Sequence, residues 1–226
     1  MVDPKAAYSR SKYDAEQTLL SLRQSVCPIV LRMGTIFGFS PRMRYDLVVN
    51  AFVMSALGNV YMTMFNGGEM WRPMLGIRDA ARAYIACLRA PRDKVCGQIS
   101  MSSAGTTASR SWSLRVREGL RRAGVEADVR PDYRYRGIRN YRVSGRKIER
   151  ELSFRPAISV EDAVVDMVEM IREYAYTDFD NPRYYNIRWL QLLEEAEKII
   201  GVTGSVFEAG AAWEARVGGL SMRPVE

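Results

Sequence analysis

Apolar positions keep a helical period over residues 3–24, DPKAAYSRSKYDAEQTLLSLRQ, where Tyr8, Lys12, Ala15, Leu19 and Leu22 fall in one narrow stripe at about 100° per residue. An acidic residue followed by proline, Asp3–Pro4, predicts where this helix begins. The period then changes: residues 27–34, CPIVLRMG, are a short apolar run closed by glycine, the pattern of a buried parallel strand. A long loop over 35–44 leads to an apolar helix at 45–57. Strands are predicted at 60–65, 71–77 and 97–103, a turn at 66–69 and a helix at 79–89. A helix with a basic face follows over 111–123, then strand-like stretches at 126–131 and 140–144. Helices at 144–152, 159–176 and 189–200 complete the pattern, the second opening on Ser159 with Asp162 three positions later, close to a capping box. Strands alternating with helices make this an α/β chain.

A chain of 226 residues is long enough to bury a real core. From Gly201 onward, glycine and alanine dominate without periodicity, which reads as a loosely attached tail. No apolar run reaches the length of a membrane span and the first residues lack a signal-peptide core, so a cytoplasmic location is expected. Cys27, Cys87 and Cys96 are odd in number and contain no CxxC pair. They read as small hydrophobes in a reducing compartment, not as a disulfide framework or zinc site. The chain has no histidine, which excludes a serine–histidine triad and most transition-metal sites, and no metal is expected. Acid–base work falls to Tyr, Lys, Asp, Glu or Cys. The net charge is +7, and of 33 basic residues only Lys5, Lys12, Lys94, Lys147 and Lys198 are lysine. Arginine's rigid fork suits phosphate, either in a nucleic acid or in a phosphorylated small molecule.

The lower half of the first stripe is core-like, but its upper end carries a phenol and an ammonium. Lysine is rarely buried without a reason, so that end is expected to open into a cleft. An ammonium a few ångströms from a phenol favours the phenolate and makes tyrosine a usable general acid–base near neutral pH. The alternative is a chance pair one helical turn apart, with the lysine reaching out to solvent.

Four segments in order resemble the extended short-chain dehydrogenase/reductase family, and within it the nucleotide-sugar epimerases and dehydratases. YSRSK is similar to the Tyr-x-x-x-Lys signature. RMGTIFG resembles Arg-x-x-x-Val-Tyr-Gly, with Phe37 in the aromatic position. WRPMLGIRDAARA resembles Arg-Pro/Asp-Phe-x-His-Val-x-Asp-x-Ala, and RNYRVSGRKIERELSFRP the segment that closes over the nucleotide. The likeness runs from residue 1 to about 200. It implies that Tyr8 is the catalytic acid–base and that Lys12 holds the nicotinamide ribose, with Arg32, Gly34 and Thr35 also on the cofactor side. Phe37, Asn50, Arg72 and Arg139 are implied on the nucleotide-sugar side, though any one arginine also reads as a surface ion pair. NAD or NADP is the implied cofactor. Gly76 departs from the family's frequent histidine, Gly137 from a common aspartate, and GQISMSS from the usual Asn-Val-Gly.

The glycine-rich phosphate loop, the acidic partner of the adenine ribose and the third catalytic Ser/Thr find no match. The resemblance therefore implies the C-terminal part of a Rossmann-like fold, lacking the N-terminal dinucleotide-binding βαβ units. Residues 1–44 are read as its last helix, strand and active-site loop, 45–200 as a mixed α/β substrate domain, and 201–226 as a tail. The first helix and strand are expected to expose apolar surface meant for a sheet, and the chain alone is expected not to bind NAD(P) tightly. Expected partners are a nucleotide-sugar and either a second copy docked through the Tyr/Lys helix or a chain supplying the missing half. A non-catalytic nucleotide-sugar-binding or dimerisation module is the competing reading. No membrane partner is expected, and basic–aromatic interleaving confined to 133–142 argues against nucleic acid.

Overall fold

The computed structural model describes residues 6–133 and 141–201. Two compact units are present, Met1–Phe179 and Asp180–Glu226. In the first, the elements run α1 (Ala7–Ser21), β1 (Ile29–Met33), β2 (Thr35–Phe37), α2 (Val48–Asn59), β3 (Tyr61–Phe65), a 3-10 turn (Asn66–Gly68) and β4 (Trp71–Gly76). They continue through α3 (Ile77–Arg89), α4 (Arg92–Val95), β5 (Gln98–Ser102), β6 (Gly105–Ala108), α5 (Ser109–Arg122), β7 (Asp128–Asp132), α6 (Arg146–Leu152) and α7 (Val160–Glu173). The second unit holds a 3-10 turn (Pro182–Tyr184) and α8 (Asn186–Ile200).

The strands form three small sheets. β1 pairs with β5 in parallel, Ile29 opposite Gln98 and Met33 opposite Ser102. β2 pairs in parallel with β4, which pairs antiparallel with β6. β3 pairs in parallel with β7. Gly34 breaks the chain between β1 and β2, where its N–H donates to Ser102 O at 2.8 Å. A Cβ there would lie 3.1 Å from the carbonyl carbon and oxygen of Pro73, tight against backbone, which is why a glycine closes the apolar run.

The core lies in the middle and later part of the first unit. Val49, Phe52 and Val53 of α2, Met62 of β3, Met74 and Leu75 of β4, Trp112 and Leu120 of α5, and Val164, Met167 and Ile171 of α7 are all buried. α5 and α7 approach closely because Gly119 has no side chain: a Cβ there would meet Val164 Cβ at 2.7 Å. A smaller cluster of Ala83, Ile148 and Phe154 packs against Leu31 and Met33, covering β1 with α3 and α6.

Several sequence expectations are corrected. The helix predicted from Asp3–Pro4 spans Ala7–Ser21; Asp3 and Pro4 lie outside the described residues. Ala6 precedes it with no side-chain cap, and Ser9 folds back instead, its Oγ accepting from Ala6 N at 3.1 Å and donating to Ala6 O at 2.8 Å. Within α1 the buried residue is Glu16, while Leu19 and Leu22 of the expected core-like stripe are each 48% exposed. Apolar side chains are thus exposed on α1 as expected, whereas β1, also expected to be open, is part-buried along its length with Leu31 and Met33 packed on the core. The long loop at 35–44 begins with a strand, because Thr35–Phe37 lie beside β4. Residues 141–144 are not a strand; they are tied to β6 by a side chain, with Thr106 Oγ1 accepting from Val143 N at 3.2 Å. The short β6 and α4 carry too few periodic positions to read. The Ser159 cap stands as expected, its Oγ accepting from Asp162 N at 3.0 Å.

Candidate functional site

Tyr8 and Lys12 lie one turn apart on α1, with the Lys12 ammonium 5.7 Å from the centroid of the Tyr8 ring. Both are open to solvent, Tyr8 at 72% exposure. What fixes them is lower on the helix. Arg32 of β1 clamps Glu16 with both arms of its fork, Nε to Oε2 at 2.9 Å and Nη2 to Oε1 at 2.5 Å. This pair raises the Arg32 pKa, the hydrogen bond to Glu16 outweighing partial burial. At 1.5 Å per residue, Lys12 and Tyr8 stand roughly 6 and 12 Å along the helix from this clamp. Arg32, expected on the cofactor side, is paired with Glu16 of the helix that carries Tyr8 and Lys12.

The carboxyl ends of β1 and β5 converge beside Gly34, with Thr35 and Phe37 continuing on β2. Ser102, at the end of β5, has a fully buried Oγ with no hydrogen-bond partner among the described residues. Nothing in its local sequence pattern singles it out. Phe37 is buried and, with Gly38, lines a shallow cleft closed by Gly76, Ile77, Ile158 and Ala163, with Arg78 and Asp166 paired on its rim at 2.6 Å. Neither Tyr8, Lys12, Asn50 nor Arg72 lines this cleft.

Asn50 is buried, and both ends of its amide are used: Oδ1 accepts from Gly38 N at 3.1 Å and Nδ2 donates to Arg44 O at 3.0 Å. It holds the 38–44 loop in shape. Arg72 donates to Trp71 O at 3.0 Å and lies 5.9 Å from the Tyr141 ring centroid, while the Arg142 guanidinium stacks on Trp71 at 3.7 Å. Two arginines and two aromatics therefore interleave where β4 begins, a setting suited to a nucleotide's base and phosphates. Of these four the sequence singles out Arg72; Tyr141 and Arg142 lie in the arginine–aromatic alternation at 133–142, and no sequence signal marks Trp71. Arg139 lies outside the described residues, as does Gly137.

In the sequence Asp79 opens a helix and stands at the aspartate of the segment WRPMLGIRDAARA. It is fully buried, accepting from the N–H groups of Ala157 and Ile158 at 3.0 and 2.9 Å and from Arg82 at 2.6 Å. The carboxylate thus ties α3 to the segment that enters α7. Among the described residues no three His, Cys, Asp or Glu side chains converge as a metal site, and no helix is long and apolar enough to cross a membrane.

This α/β arrangement is shared with solved nucleotide-sugar enzymes. The chain is similar in fold to a UDP-glucuronic acid 4-epimerase from Bacillus cereus, in complex with UDP-glucuronic acid and NAD (TM-score 0.63, 19% identity, 77% of this chain and 55% of that one). A dTDP-glucose 4,6-dehydratase from Bacillus anthracis in complex with NAD matches at TM-score 0.62 and 17% identity, over 83% and 57%. RMD from Pseudomonas aeruginosa, complexed with NADPH, matches at 0.63 and 16%, over 77% and 59%. The chain spans a little over half the length of these proteins. Residues 1–100 match the NAD dependent epimerase/dehydratase family.

Proposed function

We propose that this chain carries the acid–base helix and the substrate side of an NAD(P)-dependent nucleotide-sugar epimerase or dehydratase. The observation that carries the reading is the Tyr8–Lys12 pair, a phenol and an ammonium side by side on an open helix face, in a chain without histidine. It fits one end of the cofactor: Lys12 offers donors for ribose hydroxyls and Tyr8 a hydroxyl beside them. Redox change at a sugar carbon is what a bound nicotinamide supplies. Tyr8 exchanges the proton of the sugar hydroxyl, Lys12 steadies the phenolate, and the Glu16–Arg32 clamp holds the helix in register. Arg72 and Arg142, backed by Trp71 and Tyr141, hold the nucleotide.

Saturation-transfer NMR tests this reading with UDP-glucose, UDP-glucuronate and dTDP-glucose. Transfer to base and sugar protons is expected, and Arg72→Ala weakens binding about tenfold through loss of a charge-assisted bond. No transfer from any of the three contradicts it.

A second reading is favoured by the open face of α1. With Tyr8 at 72% and Leu19 and Leu22 at 48% exposure, the helix presents apolar surface of a kind that marks an interaction site. In that reading the chain is a nucleotide-sugar-binding or dimerisation module. Sedimentation velocity separates the cases: association that Leu19→Glu plus Leu22→Glu abolishes supports docking through α1, and a chain that is monomeric at all concentrations refutes it.

A further inference from the structure

Cys27 and Cys96, far apart in the sequence, meet at the open end of the β1–β5 sheet. The parallel register sets Ile29 opposite Gln98, so two residues back Cys27 falls opposite Cys96. Gly97 N–H donates to Pro28 O at 2.8 Å and carries the ladder to that point. Neighbouring strands run about 4.8 Å apart, inside the Cα separation a disulfide tolerates. Both cysteines are free, and both are half-buried rather than sealed off. Cys87 is also free but is buried within α3.

We propose that Cys27 and Cys96 are a redox-sensitive dithiol that a small-molecule disulfide such as oxidised glutathione converts to an intramolecular disulfide. Cys96 thiolate attacks one sulfur of the oxidised glutathione, forming a mixed disulfide and expelling one glutathione thiolate. Cys27, losing its proton, then attacks the Cys96 sulfur and expels the second glutathione. The protein gives up two electrons and two protons, and the oxidant becomes two glutathione thiols. Cys96, with a smaller part from desolvation, holds the Cys27 thiol above its ordinary pKa, and the reverse order of attack balances in the same way and gives the same bond. No third Cys, Asp or Glu side chain gathers there among the described residues, so the pair does not make a metal site. The bond staples the ends of a two-stranded sheet that is marginal by itself. It also closes a long loop, so oxidation raises the melting temperature by roughly 10 °C.

The test incubates the full chain with oxidised glutathione, blocks remaining thiols and maps tryptic peptides. The three cysteines fall in separate peptides, QSVCPIVLR, AYIACLR and VCGQISMSSAGTTASR. The expected product links the first to the third, leaves the second blocked only after unfolding, and melts higher than the reduced chain. Cys87→Ser keeps both the link and the shift, while Cys27→Ser stops at a stable glutathione adduct on Cys96. The proposal is overturned by adducts on both thiols without a link, by a link through Cys87 or between chains, or by no reaction. The peptide map of the unsubstituted chain distinguishes these outcomes even where a variant fails to fold.

Discussion

Asp79 shows how one side chain can hold two parts of this chain together. Its carboxylate is fully buried, yet each oxygen is satisfied, one by Arg82 and the other by two successive backbone N–H groups. Asp79→Ala leaves the N–H groups of Ala157 and Ile158 buried without an acceptor and costs about 2–4 kcal/mol, read by urea denaturation. A loss below about 0.5 kcal/mol contradicts this account of the residue. Asn50 acts in the same way on the 38–44 loop, with acceptor and donor both committed to backbone. These roles were not legible in the sequence, because Asp79 and Asn50 gain their partners only when distant segments meet. The Tyr8–Lys12 pair was legible, because helical spacing alone puts positions one turn apart on one face.

At the scale of elements, the α5–α7 contact depends on Gly119 for closeness and on an ion pair for register. Arg115 Nε donates to Glu161 Oε1 at 2.7 Å and Nη2 to Oε2 at 2.6 Å. This bidentate bond holds the Glu161 carboxyl below its ordinary pKa. On α5 itself, Arg121 and Arg122 lower exposed Glu118 to about 2. A carboxyl whose folded pKa is depressed contributes stability above its unfolded pKa and loses it as pH falls toward the folded value. Stability is therefore expected to fall as pH drops from about 5 to about 2. Glu161→Gln flattens part of that fall, at a neutral-pH cost of about 1 kcal/mol for a half-exposed pair. An unchanged pH slope in urea titrations of Glu161→Gln contradicts it. Long periodic elements such as α5 and α7 were legible from apolar spacing, as was the Ser159 cap. The short strand β2 was not, since three residues carry no measurable period and only pairing with β4 makes them a strand.

On the scale of the whole molecule, the core runs from Phe37 to Ile171, while α1 stands on the Glu16–Arg32 clamp with its apolar stripe open. The α/β class was legible from alternating elements. The division into three small sheets was not, because which parallel strands pair is decided by packing between segments far apart in sequence. Arginines and aromatics gather at the start of β4. The proposed function assigns this chain the substrate side, and its central claim is that the chain binds a sugar nucleotide but not NAD(P) tightly. Calorimetric titration of the purified chain, with NAD(P) and separately with UDP-sugars, tests that claim most directly. Saturable sugar-nucleotide binding without tight NAD(P) binding is the predicted result. Tight stoichiometric NAD(P) binding, or no binding of any sugar nucleotide, contradicts it.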